Sequence, residues 1–152
     1  MEEYQAFLGG MRIFSKASEH LDEIWKEALK TNCDQEKVEM EIPAMVLKAF
    51  SCEIGLKSMI LKENGSFGRI HKLDELFNIL EPKYKIMIKT FVIEAMKRIV
   101  GPEHYSEEKF LEDLTKNGNA FVRWRYFFEK NNEADITFLD LLHSAIKVTA
   151  NE

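Results

Sequence analysis

The chain predicts an all-α protein: an antiparallel up-and-down bundle of about four to five helices with short accessory helices. Three observations lead there. Apolar residues recur at three- and four-residue spacing along most of the 152 residues, and no segment alternates with the period of a strand. Glycine (7) and proline (3) are scarce while Leu, Lys, Glu, Met and Ala are plentiful, which favours helix. The few helix breakers and caps stand where periodic segments begin or end. The length suits a single domain over residues 1–152 with one sizeable core.

The first predicted helix covers residues of about 2 to 30, with Phe7, Leu8, Met11, Phe14, Ala17, Leu21, Ile24, Trp25 and Leu29 at helical spacing. Gly9-Gly10 weakens its start and marks a kink or a late beginning. A polar connection follows from Thr31 to Lys37. The second helix starts near Pro43, a residue suited to a first turn, and ends before the turn cluster Glu63-Asn-Gly-Ser-Phe-Gly68. A short helix over residues 71–80 carries Leu73, Leu76, Phe77 and Leu80 on one face. Pro82 opens the next, which Gly101-Pro102 stops. Ser106 is the expected N-cap of a helix with Glu107 and Glu108 in its first turn, ending near Asn117-Gly118. An aromatic segment spans Phe121 to Glu129. The last helix is expected to open on a capping box at Thr137-Phe-Leu-Asp140 and run to about Val148.

Composition narrows function. Hydrophobic residues make up 45% and charged residues 31% of the chain, as in a soluble globular protein. A net charge of -5 disfavours polyanion binding through bulk charge and leaves room only for a local basic site. Cys33 and Cys52 form neither a metal-ligand spacing nor a disulfide framework, which suits reduced thiols in the cytoplasm. No apolar run approaches the ~20 residues of a membrane span, and the acidic N-terminus does not resemble a signal peptide. No metal site, Gly-rich phosphate loop or nucleophile elbow is found, and no cofactor is expected.

The second helix holds the most informative residues. At roughly 100° per residue, Lys48, Ser51, Ser58 and Lys62 share a face expected to meet water. Glu53 and Lys57 fall opposite, beside Val46, Ala49, Phe50 and Ile60. Charges among apolar neighbours need partners. The Glu-then-Lys order suits an i, i+4 pair; the alternative is a lysine turned to a ligand. Arg125, in an aromatic helix expected to be buried over most of its surface beside Glu129, is the natural partner for Glu53, either as a structural ion pair or as part of a pocket for phosphate or a nucleotide. Arg69 and His71 stand at the start of a helix, where they either bond loop backbone or line an anion site. Arg98 and His104 are a candidate catalytic pair, although Gly101-Pro102 between them prevents one continuous helix from presenting both. His20 and His143 stand alone and read as surface or internally satisfied residues.

Taken together these segments resemble HEPN-domain proteins. Ala49-Phe-Ser-Cys-Glu53-Ile-Gly-Leu-Lys57-Ser-Met-Ile is similar to the family's second-helix pattern. Gly68-Arg-Ile-His71-Lys-Leu73 resembles its Gly-His-Asp-Leu segment, with an insertion before the histidine and Lys72 in place of the acid. Phe121-Val-Arg-Trp-Arg125-Tyr126-Phe-Phe-Glu129 resembles its late Arg-Tyr segment. The resemblance runs from about residue 3 to residue 130. It implies a helical bundle, often homodimeric, acting in defence, in toxin–antitoxin pairs or in RNA processing, with an antitoxin or a nucleotidyltransferase as cognate partner. It also implies a polar centre of Glu53, Lys57, Arg69, His71, Arg125 and Tyr126 that binds a nucleotide, an RNA phosphate or a protein partner, or that holds the bundle together. Many members are metal-independent endoribonucleases with an arginine followed four to six residues later by histidine. Only Arg98 and His104 fit that count here, and the residues between them, Ile-Val-Gly-Pro-Glu, lack the usual polar residue. The non-catalytic members are therefore the closer match, with the endoribonuclease and a purely structural partner-binding bundle as alternatives.

Overall fold

A computed structural model describes residues 2–31, 34–63, 65–126 and 136–152. All regular structure among them is helical: α1 (Glu3–Lys30), α2 (Gln35–Val38), α3 (Glu41–Lys62), α4 (Leu73–Asn78), α5 (Pro82–Val100), a 3-10 turn (Pro102–His104), α6 (Glu107–Lys116), α7 (Ala120–Arg125) and α8 (Ile136–Ala150). Cys33 and the segment Phe127 to Lys130, with Glu129, lie outside the described residues.

Local chemistry accounts for most boundaries. Pro82 sits in the first turn of α5, where its missing N–H costs nothing. Gly101, at φ 99°, ends that helix in a conformation that disfavours any other residue. The Ser106 hydroxyl accepts from the Lys109 N–H at 3.2 Å and caps α6. Two expectations are corrected. The polar connection after α1 contains a short helix, α2, because the Asp34 carboxylate accepts from the Glu36 N–H at 3.1 Å and caps it. Thr137 is not an N-cap: α8 is already helical at Ile136, and Asp140 turns inward to Lys48 instead of back along its own helix.

α3 is the centre of the molecule. α1 packs antiparallel along it, with Asp22 against Lys48, Ser15 against Ser51, and Gly10 near Ile54. α8 packs parallel to α3, with Asp140 at Lys48 and Ile146 at Gly55. α4 and α7 cover the remaining side, and α5 lies behind α8. From Ala44 to Ile60 no residue of α3 is fully exposed. Gly55 is required at the crossing of three helices: a Cβ there would stand 2.6 Å from Ile146 Cγ2 and 2.8 Å from Met11 Sδ.

This burial overturns the water-facing surface expected on α3. Lys48, Ser51 and Ser58 are buried, and only Lys62 of that set is exposed. The surface of α1 that meets them is also polar. Met11, Ser15, Ser18 and Asp22, spaced four, three and four apart, are its buried seam, whereas Ala17 and Leu29 of the expected apolar face are exposed. Small side chains let the helices approach closely, and the polar atoms satisfy one another. Lys48 Nζ donates to Asp22 at 2.5 Å and to Asp140. Asp22 also accepts from the Trp25 indole at 2.9 Å. The Ser15 hydroxyl bridges Ser51 at 2.8 Å and His143 Nε2 at 2.7 Å, and Ser51 donates to the Met11 carbonyl.

Candidate functional site

The opposite side of α3 carries the site. Phe50, Glu53 and Lys57, three and four residues apart, project from one face of the helix. Glu53 and Lys57 are buried and form an ion pair at 2.7 Å. His71 arrives from the segment preceding α4. That segment is placed by two backbone bonds, Ile70 N–H to the Phe67 carbonyl at 3.0 Å and Leu73 N–H to the Gly118 carbonyl at 2.9 Å. His71 Nδ1 lies 2.8 Å from the same Glu53 oxygen, Oε1, that Lys57 uses. A carboxylate only accepts, so Nδ1 carries the proton and donates. The imidazole is otherwise open, with 72% of its side chain exposed. The Phe67 ring covers the Lys57 ammonium at 4.8 Å and packs on Phe7, closing one side of the pair to water.

Beside this constellation opens a cavity of about 360 Å³, lined by Phe50, Glu53, His71, Leu73, Gly118, Asn119, Phe121 and Val122. Phe50 and Phe121 meet at 5.2 Å with an interplanar angle of 37°, and Phe14 braces Phe50 edge-on at 4.8 Å. The walls are thus chiefly apolar and aromatic, with a paired carboxylate and an imidazole on one side and the Asn119 amide on another. Such a chamber, with few polar groups on apolar walls, suits a small organic ligand.

Of the polar centre expected from sequence, the fold joins Glu53, Lys57 and His71 directly. Arg125 does not reach Glu53. It is exposed; its guanidinium stacks 5.1 Å from the Phe121 centroid and 4.6 Å from that of Tyr126, and donates to the Tyr126 hydroxyl at 3.0 Å. The reason is the brevity of α7. Trp124 takes its inward position, and the next residue, about 100° further round, faces out. The expectation that the aromatic segment is buried over most of its surface fails with it, since Val122 and Tyr126 are 45% and 42% exposed. Arg125 and Tyr126 therefore do not line the cavity; Arg125 stacks on Phe121, one of its wall residues. Arg69 is exposed on the loop two residues before His71. Arg98 and His104 are both exposed, at the end of α5 and in the 3-10 turn after Gly101, and His104 lies 3.3 Å from the Glu103 carboxylate. Neither lines the cavity.

Sequence reasoning missed the second polar cluster, on the other side of α3. Its signal was present: a long helix with charges on two opposite faces, each among apolar residues, has no side left for water and is enclosed. Lys48 is held there by Asp140 and Asp22, which raise its pKa against the effect of burial. Burial, with Lys48 nearby, lowers His143 to about 4. Burial raises the pKa of Cys52 and keeps it a thiol. Lys48, Asp22, Cys52 and His143 are buried, and only Asp140 reaches the surface, with 35% of its side chain exposed, so the cluster serves packing.

Among the described residues no group of three or more His, Cys, Asp or Glu side chains is arranged to hold a metal ion, and no helix is long and apolar enough to cross a membrane. No family model, curated protein or solved structure matches the chain.

Proposed function

We propose that this protein is a non-catalytic, HEPN-like helical module that binds a nucleotide, free or at an RNA end, in the cavity beside Glu53 and His71. The observation that carries the reading is the assembly of Glu53, Lys57 and His71 on the wall of an aromatic chamber with Arg125 stacked on Phe121, one of its wall residues. A buried pair needs no opening beside it to be structural; here the carboxylate and the imidazole both line one. The Arg125 guanidinium on Phe121 suits a phosphate, and aromatic walls suit a ring. The order of the helices and of the three family-like segments supports the HEPN-like assignment. A homodimer, a cognate antitoxin or nucleotidyltransferase, and a cytoplasmic location belong to the same proposal.

Titration of the protein with nucleoside monophosphates tests it. Saturable binding that weakens in His71→Ala is expected, with total RNA left intact on incubation. If no nucleotide binds, the centre is purely structural. RNA cleavage by the wild type that is lost in His104→Ala would replace the binding reading with a ribonuclease built on Arg98 and His104, two exposed residues close in the chain.

A further inference from the structure

Glu53 offers the cavity an atom that its ion pair leaves unused. The side chain is only 6% exposed, and Oε1 takes both Lys57 and His71. Oε2 accepts no hydrogen bond from any described residue. Because Glu53 lines the cavity, its carboxylate, with Oε2 unused by the described residues, forms part of the wall of a chiefly apolar chamber.

That atom selects what can enter. A carboxylate oxygen accepts and never donates. A phosphate or carboxylate pushed against it would meet a like charge in a poorly solvated place, whereas an N–H group would satisfy it. Phe50, Leu73, Phe121 and Val122 around it favour a flat ring. The volume, about 360 Å³, lies near the lower end of ligand pockets and has room for a purine ring. The cations that suit phosphate, Arg125 and Arg69, are outside.

Resting on the nucleotide reading above, we propose that the base enters the cavity with its phosphate left at the rim, and that Glu53 Oε2 selects guanine. Guanine presents a ring N–H and an amino group side by side, so one acceptor oxygen can take both. Uracil presents a single N–H between two carbonyl oxygens, which the carboxylate repels. Asn119, which can donate and accept, lies on the cavity wall to meet the remaining polar edge.

Calorimetric titration of the protein with guanosine, GMP, uridine, UMP and inorganic phosphate tests the proposal, alongside Glu53→Gln and Val122→Phe. Guanosine is expected to bind without a phosphate, roughly 10- to 100-fold more tightly than uridine, the range of a charged hydrogen bond. Glu53→Gln should erase that preference. Val122→Phe leaves Glu53 untouched at a half-exposed position and should abolish binding of both nucleosides by filling the chamber; it decides the matter if Glu53→Gln does not fold. Equal affinity for GMP and UMP, with competition by inorganic phosphate and no effect of Glu53→Gln, would overturn the inference and leave nucleotide binding standing. Unimpaired guanosine binding by Val122→Phe would also overturn it. Failure of every nucleotide to bind would overturn both readings.

Discussion

Mild acid is expected to destabilise the protein through His143. The imidazole is buried on α8, hydrogen-bonded to Ser15, with Lys48 and Lys147 adding positive potential and Glu19 and Asp22 opposing it. Burial, then Lys48, brings its pKa down to about 4 from 6.5. The unfolded chain therefore binds a proton at a higher pH than the folded one, so stability rises with pH across that window and falls on acidification. The penalty is nearly absent at pH 7. Linkage puts it at about 2 kcal/mol by pH 5 and about 3 kcal/mol by pH 4. The His143 contribution is read as a difference between the wild type and a variant that lacks the imidazole. His143→Gln keeps a polar group near Ser15 and removes the titration. Urea denaturation of both proteins at a series of pH values should show the wild type losing about 2 kcal/mol more than the variant between pH 7 and pH 5. Parallel profiles would refute the account.

Three further outcomes follow from the packing. Lys57→Met should cost about 3 kcal/mol in chemical denaturation, the low end for breaking a buried pair because His71 still donates to Glu53; adding Glu53→Gln should recover a large part of it, and strict additivity would count against a coupled pair. Gly55→Ala should destabilise by about 1–3 kcal/mol, since its methyl must displace Ile146 or Met11; a neutral or raised melting temperature would show that the crossing has slack. Arg125→Ala should change stability by at most about 1 kcal/mol, because its contacts are exposed stacking, yet should weaken nucleoside monophosphates more than nucleosides; a large loss of stability would restore it to the core.

The helices were legible in the chain because their ends are set by neighbouring residues. Pro82, Gly101 and Ser106 act through their own backbone or a hydroxyl three residues away, and each does in the structure what its type implies. Which faces are buried depends on what packs there from far along the chain, and polar side chains conceal it. Lys48 read as a water-facing residue because its partners Asp22 and Asp140 lie 26 and 92 residues away. Ser51 looked like surface for the same reason, its partner Ser15 lying 36 residues away. Within the site, Glu53 and Lys57 were found because they contradict an apolar surrounding, and His71 through family likeness. Arg125 was misjudged because α7 is too short to enclose every side of an aromatic segment. Thr137 showed a capping pattern that means nothing once a helix has already begun.

The enclosure of α3 also bears on how its backbone can exchange hydrogen with solvent. Fraying or a local opening exposes amides on helices with a wet side, but α1, α4, α7 and α8 all cover α3, so its central N–H groups reach water only when several of these helices part at once. Amides from about Ala49 to Ile60 should accordingly exchange together, at the slowest rate in the molecule, and report the free energy of global unfolding.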